Sequence, residues 1–380
     1  MYQVKLFNKI SNAGLSLLKP EAYTCSEDFE NYDAIMVRSA KLHDLEFPKN
    51  LKCIARAGAG VNNIPLDKCT ENGIVVFNTP GANANAVKEL VLCALLLSSR
   101  NIVGGANWVK TLAGNGDKIG AMAEKGKSNF AGPEIAGKTL GVIGLGAIGA
   151  MVANSASDLG MKVIGYDPFI SIEAAWSLSR SVRKAETLDT ILTQSDYITI
   201  HVPQTPETKG LINAERIKAM KNGVRIINLA RGGLVVNADI IAGINSGKIA
   251  CFVTDFTDED LLNNDKIVCL PHLGASTPEA EENCALMAVR QLKNFLETGA
   301  IVNSVNFPKC KIEDPIPVNG TRLCISHKNI PNMVGQITTV LAGASLNIAG
   351  MVNQNRGDLA YNIIDLDTNV SDEIIDKLQS

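Results

Sequence analysis

The sequence predicts α/β architecture in three successive units, the last a small α+β unit. Three observations predict it. Short apolar strand-like runs alternate with helix-like segments through roughly the first three hundred residues, a glycine-rich turn joins two such runs near residue 144, and a polar stretch at 303–320 carrying Pro308, Pro315 and Pro317 separates the carboxyl-terminal residues from the rest. At 380 residues the chain also exceeds what one hydrophobic core usually supports.

The first unit reads as strands at 34–37, 51–55 and 74–77, followed by an apolar helix over 85–99. Residues 101–136, rich in Gly, Lys and Ala, read as a connecting arm with some helix before a second α/β series opens at Lys138. The last unit reads as a strand over 321–326, a helix over 333–344, two strands around the turn Asn355-Arg356-Gly357-Asp358, and a helix opened by Ser371.

Composition sets the function classes. Hydrophobic residues at 46%, charged residues at 20% and a net charge of -3 give no global attraction to nucleic acid or membrane, so an anionic ligand must be met by local positive groups. Nine cysteines stand singly, with no C-x-x-C pair, as expected of reduced thiols in a cytoplasmic protein. No secretory leader, membrane span or metal-binding cluster is expected.

The strand at 139–143 runs into Gly144-x-Gly146-x-x-Gly149, then a helix, a second strand at 162–166, and Asp167. Gly144 permits a tight turn, Gly146 lets a pyrophosphate approach the backbone, and Gly149 lets the helix pack on the strand. The helix N-terminus, at Ala147 and Ile148, favours phosphate charge. Asp167 follows at about the 20-residue spacing of an acid that bonds the adenosine ribose and repels a 2′-phosphate, which selects NAD in a Rossmann unit.

Further apolar runs at 197–200, 225–229, 249–254 and 267–270 each deliver a polar group at the carboxyl end: His201, Arg231, Asp255 and His272. In open α/β sheets those ends form the ligand crevice. Arg231, followed by Gly232 and Gly233, suits bidentate grip of a carboxylate; His272, held by Pro271, suits proton exchange with a substrate hydroxyl. The cluster Asp258-Glu259-Asp260 lies between them and offers an acid to orient the histidine.

With these come MVRSA (36–40), RAGAGVNNI (56–64), NTPGANANAVKEL (78–90), INLARGG (227–233) and PHLGAST (271–277), in order along nearly the whole chain. In them the sequence resembles the D-isomer-specific 2-hydroxyacid dehydrogenases. The resemblance implies a two-lobed α/β molecule. A flavodoxin-like substrate lobe would comprise 1–100 and 288–302, a Rossmann NAD lobe 101–287, a linker 303–320, and an ACT-like regulatory domain 321–380 that lacks its last strand.

The resemblance also implies roles. Arg231 would bind the substrate carboxylate and His272 act as acid and base. The family's glutamate is replaced by DFTDEDLL, where an ungapped count from Arg231 lands on Asp260 and Glu259 is the one-residue alternative. Cofactor contacts would fall to Ala59, Ala147, Ile148, Asp167, His201, Val202, Pro203, Thr208, Leu229, Ala230, Asp255 and Gly274. Arg38, Ser39, Arg56, Gly58 and Gly60 would form the substrate side, with the two arginines meeting a phosphate. The leading substrate is then 3-phosphoglycerate, oxidised with NAD as the first step of serine synthesis. The rivals are an unphosphorylated 2-keto acid of the glyoxylate, 2-oxoglutarate or D-lactate type, and a non-catalytic NAD-sensing protein. His327, Asn329 and Asn347 would lie near a serine effector in the ACT-like unit, unless that unit is structural or dimerising. A homo-dimer or homo-tetramer is implied.

Overall fold

The computed structural model describes residues 1–379 and divides them into two compact units, one of Met1–Ala82 with the chain from Glu281 onward, the other of Asn83–Ala280. The first unit opens with a five-stranded parallel sheet: β1 (Tyr2–Phe7), β2 (Tyr23–Ser26), β3 (Ala34–Val37), β4 (Cys53–Arg56) and β5 (Val75–Phe77). Its order, β2-β1-β3-β4-β5, is the flavodoxin-like winding. The sequence reading passed over β1 and β2. In β1 only Val4 is fully buried, so its YQVKLF alternation lacks the continuous apolar run that marks β3.

The second unit holds a seven-stranded parallel sheet: β6 (Thr139–Ile143), β7 (Lys162–Tyr166), β8 (Arg183–Lys184), β9 (Tyr197–Ile200), β10 (Val224–Asn228), β11 (Ile249–Thr254) and β12 (Ile267–Cys269). Its order, β12-β11-β10-β9-β6-β7-β8, reverses direction between β6 and β9, the switch point at which Rossmann sheets hold ligands. The four residues of β9 are buried throughout, as a strand covered on both faces by helices requires.

One expected boundary moves. The helix Ala84–Ser99, assigned by sequence to the first lobe, buries Val87, Val91, Ala94 and Leu95 in one core with Leu140, Val142, Tyr197 and Val253 of the second sheet. Its Ser99 hydroxyl shares a 2.7 Å hydrogen bond with the Tyr197 hydroxyl. The second unit therefore begins at Asn83 rather than near 101. It ends at Ala280 rather than 287, because the helix Pro278–Thr298 inserts Ala285, Ala288, Val289 and Leu292 beneath the first sheet.

The proline-bearing segment 303–320 is not a free linker. Phe307 and Cys310 are 1% exposed and belong to that same core. The Asn306 carboxamide accepts from the Val76 N–H at 2.8 Å and donates to the Ile74 carbonyl at 2.9 Å. Beyond it, β13 (Thr321–Lys328), β14 (Ile348–Arg356) and β15 (Leu359–Leu366) form an antiparallel sheet in the order β13-β15-β14, with helices Met333–Gly343 and Asp372–Gln379. The strand, helix, strand, strand, helix order is the expected one. Central β15 is covered on both faces: Ile364 and Leu366 meet the helices, while Tyr361 and Ile363 enter the core of Phe77 and Leu292. That shared core makes the carboxyl-terminal sheet part of the first unit instead of a separate domain.

Candidate active site

The nucleotide loop follows from its glycines. Gly144 has φ +90°, a conformation that L side chains rarely adopt, and a Cβ there would sit 2.6 Å from the His201 carbonyl oxygen. Gly146 caps the helix Ala147–Asp158 with no side-chain cap, and the place its Cβ would take is open. The first-turn amides thus have no side-chain cap and the backbone at Gly146 is open to close approach, as an anion cradle needs. A Cβ on Gly149 would overlap the Gly144 carbonyl. Asp167, just past β7, accepts from the Leu145 N–H and the Phe169 N–H, both at 2.9 Å, which anchors its carboxylate at the loop. Open cradle, uncapped helix and fixed acid together fit a dinucleotide.

At the end of β9, the His201 ring bonds the Thr199 hydroxyl through Nε2 at 3.0 Å, while Nδ1 is enclosed without a partner. Burial pulls its pKa down to about 4, so the imidazole is neutral near pH 7. Val202 packs against the Gly144 turn. The Thr208 hydroxyl donates to the Pro203 carbonyl at 2.6 Å and accepts from the Thr205 N–H at 2.8 Å, which fixes this loop.

Beyond β10, buried Asn228 donates to the Arg231 carbonyl at 2.9 Å and accepts from the Ala230 N–H at 3.3 Å, while Leu229 is buried. The Arg231 side chain is exposed, its Nη1 donating to the Ala230 carbonyl at 2.6 Å. Side chains at Gly232 and Gly233 would crowd Phe256 and Gln204.

Beyond β11, Asp255 is 3% exposed and its Oδ1 has no hydrogen-bond partner. Burial pushes its carboxyl pKa up, against the opposing pull of His272, the Gly274 N–H and Arg231. His272 itself has φ +32°, a strained backbone for a histidine, with its N–H 3.3 Å from the Asp255 carbonyl and its ring 4.9 Å from that of Phe256. Arg231, Asp255 and His272 are therefore brought together.

The acidic cluster is placed differently from the expectation. Asp258 accepts from Asn237 at 3.1 Å. Glu259 and Asp260 occupy the exposed first turn of the helix Glu259–Leu262, and among the described residues neither bonds or ion-pairs with His272. The acid facing the histidine is Asp255, which the sequence reading had placed only at the cofactor. Phe256 was missed altogether. Its one sequence signal is a place directly after a strand-end acid.

The first unit carries the other predicted group. At the end of β3, Arg38 Nη2 lies 2.7 Å from the carboxylate of Glu281, a partner the sequence reading did not foresee. Arg56, ending β4, donates from Nε to the Arg38 carbonyl at 3.0 Å and lays its guanidinium where a side chain on Gly58 would go. The Ser39 N–H donates to Asn8 at 2.9 Å, which ties the loop after β3 to the loop after β1, and Asn78 donates to the Ala59 carbonyl at 2.6 Å, which pins the turn through Gly60.

In the carboxyl-terminal sheet, His327 is bonded to Asn362 at 2.7 Å, Asn329 to the Gly357 carbonyl at 3.0 Å and Asn347 to Asp367 at 2.8 Å. These three predicted effector residues serve the sheet's own bonding and share no partner.

Comparison with known proteins points the same way. A family model for the "D-isomer specific 2-hydroxyacid dehydrogenase, NAD binding domain" matches residues 92–276. The chain is 39% identical over 293 residues to a D-3-phosphoglycerate dehydrogenase of Archaeoglobus fulgidus, covering 74% of this chain but 53% of that one. It is 31% identical over 364 residues to D-3-phosphoglycerate dehydrogenase 1 of Saccharomyces cerevisiae, covering 90% of this chain and 74% of that one. The chain thus spans about half to three-fifths of the length of the first curated relatives it matches. Among solved structures, an NAD+-bound 3-phosphoglycerate dehydrogenase of Entamoeba histolytica superposes with a TM-score of 0.63 at 25% identity, covering 80% of this chain and 98% of that one.

Proposed function

The chain belongs to the D-isomer specific 2-hydroxyacid dehydrogenases, and from that premise we propose that it oxidises 3-phosphoglycerate to 3-phosphohydroxypyruvate, reversibly and with NAD, as the first step of serine synthesis. The observation that carries the reading is the convergence of a guanidinium, a buried carboxylate and an imidazole at the carboxyl ends of β10, β11 and β12, on the sheet that also presents the anion-cradling loop. The phosphorylated substrate is supported by Arg38 and Arg56 and by the substrate named for the relatives.

Bound NAD supplies the hydride acceptor. The protein's own part is positional and protonic. Arg231, kept at the surface beside two residues without side chains, holds the substrate carboxylate through two hydrogen bonds. His272 takes the hydroxyl proton on oxidation and returns it on reduction. Asp255 supplies a negative charge to the imidazolium. Asp260 or Glu259 takes that part only if the helix Glu259–Leu262 moves when substrate binds.

Assembly into a homo-dimer or homo-tetramer is supported by the segment 101–130, where Ile102, Val103, Val109 and Met122 stay exposed on helices with no buried residue. An ACT-like effector role for the carboxyl-terminal sheet rests on its strand and helix order alone. A cytoplasmic setting is supported by nine free cysteines.

NADH oxidation by the purified protein with 3-phosphohydroxypyruvate, beside pyruvate, glyoxylate and 2-oxoglutarate, tests the reading. Preference for the phosphorylated acid is expected. Preference for another acid would replace the substrate, and no turnover with any would overturn the enzymatic reading.

A further inference from the structure

We infer that the first unit contains a second small-molecule site, on the helix Pro278–Thr298 beside the end of β5, which takes a compact carboxylate such as an α-amino or α-hydroxy acid. The site is a cavity of about 280 Å³ lined by Phe77, Arg290, Gln291, Asn294, Ala300, Val302 and Asn303. Its size is below the roughly 300–1,000 Å³ of pockets for drug-sized ligands, which excludes a dinucleotide and suits a small metabolite.

Its polar groups are complementary to such an acid. Arg290 is exposed on the helix Pro278–Thr298, and among the described residues its guanidinium has neither an acidic partner nor a hydrogen bond. Asn294 accepts from Thr298 through Oδ1 at 3.3 Å, which leaves its amide donors for a ligand. The two together offer a carboxylate both charge and donors. Gln291 closes the inner side of the cavity: its Nε2 is committed to the Asn78 carbonyl at 2.9 Å and the Met287 carbonyl at 3.2 Å, and its Oε1 is enclosed, so the charge and donors offered to a ligand come from Arg290 and Asn294. Phe77 and Ala300, both buried, give the apolar wall against which a short side chain rests.

The wall also has a structural neighbour of consequence. The Asn78 whose carbonyl Gln291 holds is the residue that pins Ala59.

Calorimetric titration of the full chain with glycine, L-serine, L-alanine and glycolate tests the inference, and the first three against the last separate amino from hydroxy acids. At least one probe is expected to bind, with Arg290→Ala weakening it at least about tenfold, or ~1.4 kcal/mol. Val302→Trp, at an exposed lining position, should fill the cavity and abolish binding. Both variants should keep the wild-type melting temperature. Binding by no probe, or binding unchanged in both variants, would overturn the site. Neither result depends on the proposed reaction, whose failure would show separately as absent turnover.

Discussion

Arg322 and Asp365 form a buried fork across neighbouring strands: Nε lies 2.6 Å from Oδ1 and Nη2 2.7 Å from Oδ2, with the two side chains 4% and 6% exposed. Nη2 also donates to the Asp314 carbonyl at 3.0 Å, so the pair fastens β13 and β15 to the preceding segment. A buried pair broken on one side leaves an uncompensated charge, whereas replacing both partners can be neutral. Arg322→Ala should cost about 3–5 kcal/mol in urea unfolding, and Arg322→Met with Asp365→Leu much less. If the single change cost as little as the double, water would have to reach the pair.

Replacing Arg231 tests the substrate end of the site. Arg231→Ala should lower kcat/KM for the keto acid by about 10²–10³, the range for losing one charge-stabilising group in a catalytic site. Asp258→Ala should change little, because that carboxylate is occupied by Asn237. Equal losses in steady-state assays would remove Arg231 from its role.

The three candidate acids separate in their predictions. Asp255→Asn removes the charge facing His272 and thereby destabilises the imidazolium. Keto-acid reduction needs the protonated ring, so Asp255→Asn should lower kcat/KM for the keto acid at least about tenfold. Asp260→Asn and Glu259→Gln should leave it unchanged. A loss confined to Asp260→Asn would show that the exposed helix closes on the histidine.

These contrasts trace the line between residues legible in the sequence and residues that were not. Thr139–Ile143, Lys162–Tyr166, Tyr197–Ile200 and Ile249–Thr254 have the bounds read from their apolar runs, because doubly covered strands are apolar throughout. The glycines of the nucleotide turn were legible because each has a backbone reason. Long-range relationships stayed hidden. An apolar stripe on Ala84–Ser99 does not say which sheet it covers, and the prolines at 308–317 gave no hint that Asn306 would bond β5. Counting from Arg231 reached Asp260, but a count measures chain length, not the direction a side chain faces.

His201 should make stability fall with acid. Its folded pKa of about 4 lies below the ordinary 6.5, so the unfolded chain binds the proton more readily. The neutral ring therefore contributes nothing unfavourable above pH ~6.5, and stability falls as pH drops from there through about 4, by at most ~3 kcal/mol in total. His201→Gln, which keeps a partner for Thr199, should flatten that part of the curve when urea midpoints are compared near pH 7 and pH 5. Parallel curves for the two proteins would mean that the ring is hydrated when protonated.

Arg38 and Glu281 set the last test, on substrate choice. Their 2.7 Å pair leaves both side chains about two-fifths exposed, so the contact contributes little to stability yet occupies the guanidinium. On the proposed reading a substrate phosphate reaching Arg38 would displace the Glu281 carboxylate, and the exchange would favour the group with the greater charge and more acceptor oxygens. An unphosphorylated acid gains nothing by it. Glu281→Gln should therefore lower KM for 3-phosphohydroxypyruvate, leave kcat unchanged, and do nothing for glyoxylate, while Arg38→Ala should raise KM for the phosphorylated acid alone. If Arg38→Ala impaired both substrates equally, the arginine would be shaping the lobe instead of reading the phosphate, and the case for a phosphorylated substrate would lose its physical basis in this chain.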